Sequence, residues 1–265
     1  MVNAKGCIVI SLTPSASRRL IAKGVANLEV VQRALKHGTI VIGLGTTNAY
    51  VAEELLRYAS GAEKVLEKQR YAAGVITAEG LCVVPKEARI NEIILRNGTV
   101  SEERIGDAIE TLTADDVFIK GANALDATGT AGILMTNRLG GTIGATLGSV
   151  MARGVQFIIP VGLEKTIPYS IADAAKRVGI DRCARTMGWP VGLMPVHGRV
   201  ITELDALKIL GADDAFPIGA GGINGGEGSV VICCEGNPET LDEVMTLVRQ
   251  LKGEAPVRVV STDCL

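Results

Sequence analysis

Gly43-Leu44-Gly45-Thr46-Thr47-Asn48 constrains the fold of this chain more than any other stretch. It follows an apolar run, Thr39-Ile40-Val41-Ile42, and precedes a helical pattern from Ala49 to Ala59. A strand that ends in glycines, hydroxyls and an amide, and then becomes a helix, presents backbone N–H groups with no intrahelical partner. Glycine lets the chain turn and lets an anion approach the backbone. The stretch predicts a pocket for a phosphate or carboxylate at the carboxyl end of a parallel strand, built on Gly43, Gly45, Thr46, Thr47 and Asn48. It fits neither common nucleotide fingerprint. There is no Gly-Lys-Ser/Thr, and Asn48 stands where a dinucleotide loop has its last glycine.

The 265 residues suffice for one large α/β domain or for one domain with a small appendage, and 47% hydrophobic content supports a sizeable core. A net charge of −2 gives no electrostatic footprint for nucleic acid, and 3% aromatic residues leave little for base stacking. Arg153 and Glu164 bracket the longest apolar candidate, so no membrane span is expected and the chain reads as a soluble, cytoplasmic protein. Cys7, Cys82, Cys183, Cys233, Cys234 and Cys264 show no C-x-x-C spacing. They read as small buried hydrophobes in a reducing compartment. The two histidines, His37 and His197, are far apart, so neither a metal site nor a cofactor is expected.

Along the chain, a strand over 6–11 precedes a helix over 16–36, capped by Thr13 and Pro14. Apolar runs over 72–77, 81–84 and 89–95, separated by Glu79-Gly80, Pro85-Lys86 and Asn97-Gly98, suggest a strand pair beside or within the sheet. A helix from Ser101 to about Thr113, a strand over 116–120, a long connection from Gly121 to Gly141, a helix over 142–153 and a strand over 155–161 follow. This alternation predicts an open, mostly parallel, doubly wound sheet over residues 1–200. Residues 201–265 read as a small C-terminal α/β subdomain, with a strand at 229–234, a helix at 238–252 and a strand at 257–260.

Polar groups after strand ends supply the site candidates, because ligands of open α/β sheets bind there. Lys120 ends an apolar strand, and Gly121, Asn123, Asp126, Thr130 and Asn137 line the long connection behind it. Gly141 and Thr142 open a second helix, and Lys165 follows the buried strand at 155–161. Glu227 sits inside the glycine run 219–228, which reads as a lid or a hinge.

The stretch Gly38 to Thr47 resembles the opening of ribose-5-phosphate isomerases and related glucosamine-phosphate isomerases, where a strand and a Gly/Thr/Ser loop hold the substrate phosphate. Residues Ala114 to Gly129, with Gly141-Thr142-Ile143-Gly144, resemble the core of methylthioribose-1-phosphate isomerase and the proteins related to translation initiation factor 2B. These families share a superfamily fold with coenzyme A transferases, and the resemblance covers roughly residues 16 to 165. It implies the scaffold and the anion loop. Asn123 occupies the position of an acidic residue in the second family, and an amide cannot act as a carboxylate base.

Together these readings imply a protein that binds and acts on a small anionic, phosphorylated sugar-like metabolite, with aldose–ketose isomerisation as the nearest reaction. Lys120 would hold or polarise an oxygen, and Asp126 or Asp116 would handle the proton. A homo-oligomer is expected. A non-catalytic ligand-binding protein on the same scaffold, and a coenzyme A-dependent acyl transferase with Glu227 as nucleophile, stand as alternatives.

Overall fold

The computed structural model describes residues 6–60 and 66–265. Strand β1 (Gly6–Leu12) leads into α1 (Pro14–Ala26), α2 (Glu29–His37), β2 (Thr39–Ile42) and α3 (Thr46–Ser60). Then come β3 (Gly74–Thr77), β4 (Gly80–Val83), β5 (Ile93–Arg96), β6 (Thr99–Ser101), α4 (Ile105–Thr111) and β7 (Val117–Ile119). Strands β8 (Ala124–Leu125) and β9 (Ala131–Met135) precede α5 (Gly141–Ala152), β10 (Gln156–Pro160) and α6 (Ile171–Ala175). The chain continues through β11 (Gly192–Val196), β12 (Arg199–Ile201), α7 (Glu203–Ile209), β13 (Asp214–Gly221), β14 (Ser229–Gly236) and α8 (Pro238–Leu251).

The central sheet is mixed, in the order β12-β10-β7-β2-β5-β6. The first four strands are parallel; β5 and β6 are antiparallel to their neighbours. Asn97 and Gly98, with φ of 47° and 76°, form the tight turn between β5 and β6 that such a dipeptide favours.

Side chains alternate across this sheet with the period of two that a strand imposes. Ile40, Ile42, Val117 and Ile119 join buried residues of α1, α2 and α3 in one core. Val41, Phe118, Phe157 and Ile159 point the other way, into a second core with Ile109 of α4 and Val150 of α5. A sheet buried on both faces explains why β2 and β7 read as unbroken apolar runs. The chain is therefore α/β.

Arg19 on α1 fixes the position of α3. It is 5% exposed and pairs with Glu53, with Glu54 at 2.9 Å and with Glu254 at 2.6 Å, and its guanidinium lies 4.8 Å from the Tyr50 ring centroid. Buried charges persist where such partners replace water.

Several expected elements differ. The helix expected over 16–36 is two helices. Asn27 closes α1, its backbone N–H donating to Lys23 and Gly24 carbonyls and its Nδ2 to the Lys23 carbonyl at 2.8 Å; Leu28 is extended. The long connection 121–141 contains β8 and β9, which pair with each other, and β9 also pairs with β11, in a separate antiparallel sheet. Residues 257–260 form no strand, since β14 already has β1 on one side and β13 on the other.

The pairing of β14 with β1 also joins the two ends of the chain in one sheet. Strand β1 runs antiparallel to β14 from Gly6↔Gly236 to Leu12↔Val230, so the C-terminal sheet takes its edge strand from the N-terminus. Ile10, Leu12 and Leu20 share a third core with Leu207, Ile232, Leu241 and Val244. The cysteine expectation is corrected as well. Cys82 and Cys264 form a disulfide, and of the four free cysteines Cys234 is buried while Cys7 and Cys183 are exposed. Among the described residues no helix is long and apolar enough to cross a membrane.

Candidate functional site

The carboxyl ends of three neighbouring parallel strands build one cleft of about 740 Å³. From β2 come Gly45, Thr46, Thr47 and Asn48; from β7, Lys120, Gly121 and Asn123; from β10, Lys165. Gly141 and Thr142, at the start of α5, complete the polar wall. Ten of the predicted ligand-contacting residues thus meet at one place. Gly43 lies just beneath it. A Cβ there would come within 2.8 Å of Lys120 Cδ, and one on Gly121 within 3.2 Å of Asn48 Oδ1, so a larger side chain at either position would press on a cleft residue.

The turn after β2 is held from both sides. Gly45 N donates to the Tyr71 carbonyl at 2.9 Å, and Asn48 Nδ2 donates to the Gly43 carbonyl at 2.6 Å. The first α3 hydrogen bond is Ala49 N to Gly45 O at 2.9 Å, so the amides of Thr46, Thr47 and Asn48 precede the ladder. Two side-chain oxygens beside them lack any partner. Thr47 Oγ1 and Asn48 Oδ1 belong to residues only 2% and 0% exposed, yet neither atom makes a hydrogen bond among the described residues. Buried polar atoms are seldom left so, because each orphan costs about 1–3 kcal/mol.

Helix α5 opens onto the same space. Its N-cap, Gly140, has φ 79° and offers no side-chain cap; the first bond of the helix is Gly144 N to Gly140 O at 3.1 Å. Two helix N-termini, each the positive end of a peptide dipole, therefore border one cleft.

Two lysines reinforce that field. Lys120 Nζ donates to the Leu44 carbonyl at 3.3 Å and Lys165 Nζ to the Ala122 carbonyl at 2.9 Å. Among the described residues, no carboxylate lies within 4.0 Å of either ammonium. Burial, and then the neighbouring Lys165, bring the Lys120 ammonium down to about 8, with Glu92 acting in the opposite direction. Burial lowers Lys165 too.

Glu92 is the carboxylate of the cleft, the one acidic side chain among the described lining residues. It is half-buried and accepts from Thr142 Oγ1 at 3.3 Å. The residue was not singled out from the sequence: the Asn97-Gly98 turn marks the β5–β6 hairpin but not the pairing of β5 with β2. A hairpin strand entering antiparallel beside β2 must begin at the edge where β2 ends, and Ile42 is indeed paired with Ile93. Arg89, Lys86 and Trp189 also line the cleft and were likewise missed.

The two aspartates expected to move protons lie elsewhere. Asp116 precedes β7, at the opposite edge of the sheet, and accepts from Thr39 N at 2.6 Å, Thr113 N at 2.7 Å and Thr113 Oγ1 at 2.9 Å. Asp126 accepts from Thr128 N, Thr128 Oγ1, Thr130 N and Ile171 N at 2.7–3.0 Å. The Thr128 hydroxyl and these amides hold its carboxyl below the usual range. Both are 6% exposed and organise turns, outside the cleft lining. Asn123 lines the cleft, but its Oδ1 is taken by Leu134 N at 3.0 Å. Glu227 is exposed in the connection between β13 and β14, away from the cleft lining.

Among the described residues no group of three His, Cys, Asp or Glu is arranged to hold a metal ion. No protein-family model, curated protein or solved structure matches the chain.

Proposed function

We propose that the chain binds a small phosphorylated, sugar-like metabolite and isomerises it between aldose and ketose. The observation that carries the reading is the pair of orphaned oxygens, Thr47 Oγ1 and Asn48 Oδ1, beside three unbonded amides at the end of β2. A phosphate supplies acceptors for the amides and for the Thr47 hydroxyl, and a protonated phosphate oxygen supplies a donor for Asn48 Oδ1. Lys120 and Lys165 stand where the rest of the ligand would lie, without carboxylate partners among the described residues. They are suited to stabilise the oxygen that gains charge as a sugar enediolate forms. Glu92 takes the proton-transfer role in place of Asp116 and Asp126, since it alone among these carboxylates faces the cleft.

The alternation of apolar faces across the central sheet supports reading it as the doubly wound scaffold of the sugar-phosphate isomerase and coenzyme A transferase superfamily. Glu227 offers no support for the acyl-transfer reading, because it is exposed and outside the cleft.

Incubating the protein with ribose 5-phosphate in D2O, while following the C2 position by proton NMR, tests the reaction. Deuterium entering C2 at a rate above buffer supports isomerisation. No exchange, together with a ligand-induced rise in melting temperature, leaves binding alone and removes the catalytic half. At a hundredfold excess over Kd that rise corresponds to about 2.7 kcal/mol.

A further inference from the structure

The anion loop occupies one part of a larger cleft. A pentose monophosphate, with about 14 non-hydrogen atoms, fills only part of its 740 Å³. The remaining lining holds Lys86, Arg89 and Asn91 together with an apolar wall made by Val75 and Ile76 of β3, Leu81 and Val83 of β4, and Trp189.

Trp189, the one tryptophan of the chain, is built into that wall. Its backbone N donates to the Leu81 carbonyl at 2.7 Å and its Nε1 to the Asp263 carbonyl at 3.1 Å. Asp263 pairs with Val83 through two backbone bonds of 2.8 Å, and the Cys82–Cys264 disulfide fastens the same tail to β4. Hairpin, tail and tryptophan are therefore one preassembled surface. With Nε1 already bonded, the half-exposed indole has only its ring carbons and π faces left to offer a ligand. Beside it Thr136 and Asn137, which border both this cleft and the adjoining shallow pocket, supply polar groups at the edge of the apolar wall.

We propose that the cleft takes a nucleoside monophosphate, with the phosphate on the amides of Thr46, Thr47 and Asn48 and the base against Trp189. The proposal rests on the anion-binding half of the reading above and not on the isomerisation, because the C1′–N bond of a nucleotide blocks the ring opening that aldose–ketose exchange needs. A nucleoside monophosphate has about 23 non-hydrogen atoms, which suits a cleft in the usual range for small-ligand sites. Stacking on an aromatic ring does not depend on the identity of the base, so the wall selects for a base and not for one particular base.

Calorimetric titration with adenosine 5′-monophosphate, ribose 5-phosphate and inorganic phosphate tests this, alongside tryptophan emission, which in this chain reports Trp189 alone. The expected result is a Kd for the nucleotide at least about tenfold below that for ribose 5-phosphate, with a change in emission on binding. Trp189→Ala should erase the advantage while leaving ribose 5-phosphate affinity unchanged, and Trp189→Phe should retain most of it. Equal affinities in the wild-type protein, or an advantage that survives Trp189→Ala, overturn the base site and leave the anion loop standing. Failure of all three ligands to bind overturns both.

Discussion

Ile42 and Ile93 face each other where the parallel part of the sheet meets its antiparallel edge, and the Tyr71 hydroxyl ties them together. It donates to the Ile42 carbonyl at 2.6 Å and accepts from Ile93 N at 3.0 Å, while the Tyr71 carbonyl accepts from Gly45 N. One buried residue thus anchors both the anion loop and the strand that delivers Glu92.

Glu92→Gln keeps the shape and the hydrogen bond from Thr142 but removes the proton acceptor. C2 proton exchange of ribose 5-phosphate should fall by about 10²- to 10⁴-fold, with ligand affinity changed little. An undiminished exchange rate would remove Glu92 from the reaction.

Lys120 sets a pH dependence for binding. Its ammonium, brought down to about 8 by burial and by Lys165, is charged below that pH and neutral above it. Affinity for ribose 5-phosphate should therefore weaken as pH rises through about 8, and Lys120→Met should flatten the profile there. Calorimetry from pH 6.5 to 9.5 measures both, and an unchanged slope in the variant would contradict the assignment.

Asp126 is predicted to matter for stability. Asp126→Ala leaves the amides of Thr128, Thr130 and Ile171 without their acceptor, at a cost of about 1–3 kcal/mol or more. The urea midpoint should drop accordingly, while turnover per folded molecule stays near wild type.

Glu203 supplies a second test of the fold. It is fully buried; burial and then nearby Glu164 raise its carboxyl to about 7. The folded state therefore binds more protons than the unfolded chain between about pH 4.3 and 7, and its stability contribution falls as pH rises through that window. Glu203→Gln should abolish this fall, which amounts to a few kcal/mol and can be followed by denaturant titration at successive pH values.

Much of this was legible in the chain. The turn at 43–48 and Lys120, Gly121, Asn123, Gly141, Thr142 and Lys165 were found because strand ends and helix starts leave local marks in sequence. Glu92 and Trp189 were missed because their place depends on partners distant in the chain. Glu92 reaches the cleft through the antiparallel register of β5 with β2, and Trp189 through contacts with Leu81 and Asp263. Asp116 and Asp126 illustrate the converse: carboxylates in polar stretches near strand ends that local hydrogen bonds consume. The disulfide joins residues 182 apart, and no spacing rule reaches that far.

Titration of wild-type protein and Thr47→Val with ribose 5-phosphate, by calorimetry, bears most directly on the anion loop. Removing a buried hydroxyl that has no partner should leave the unliganded protein as stable or slightly more so. If that hydroxyl serves a phosphate, the same change should weaken binding roughly tenfold, the loss of a hydrogen bond to a charged group. Wild-type protein that binds no ribose 5-phosphate, or a variant that binds it equally well, would contradict the account.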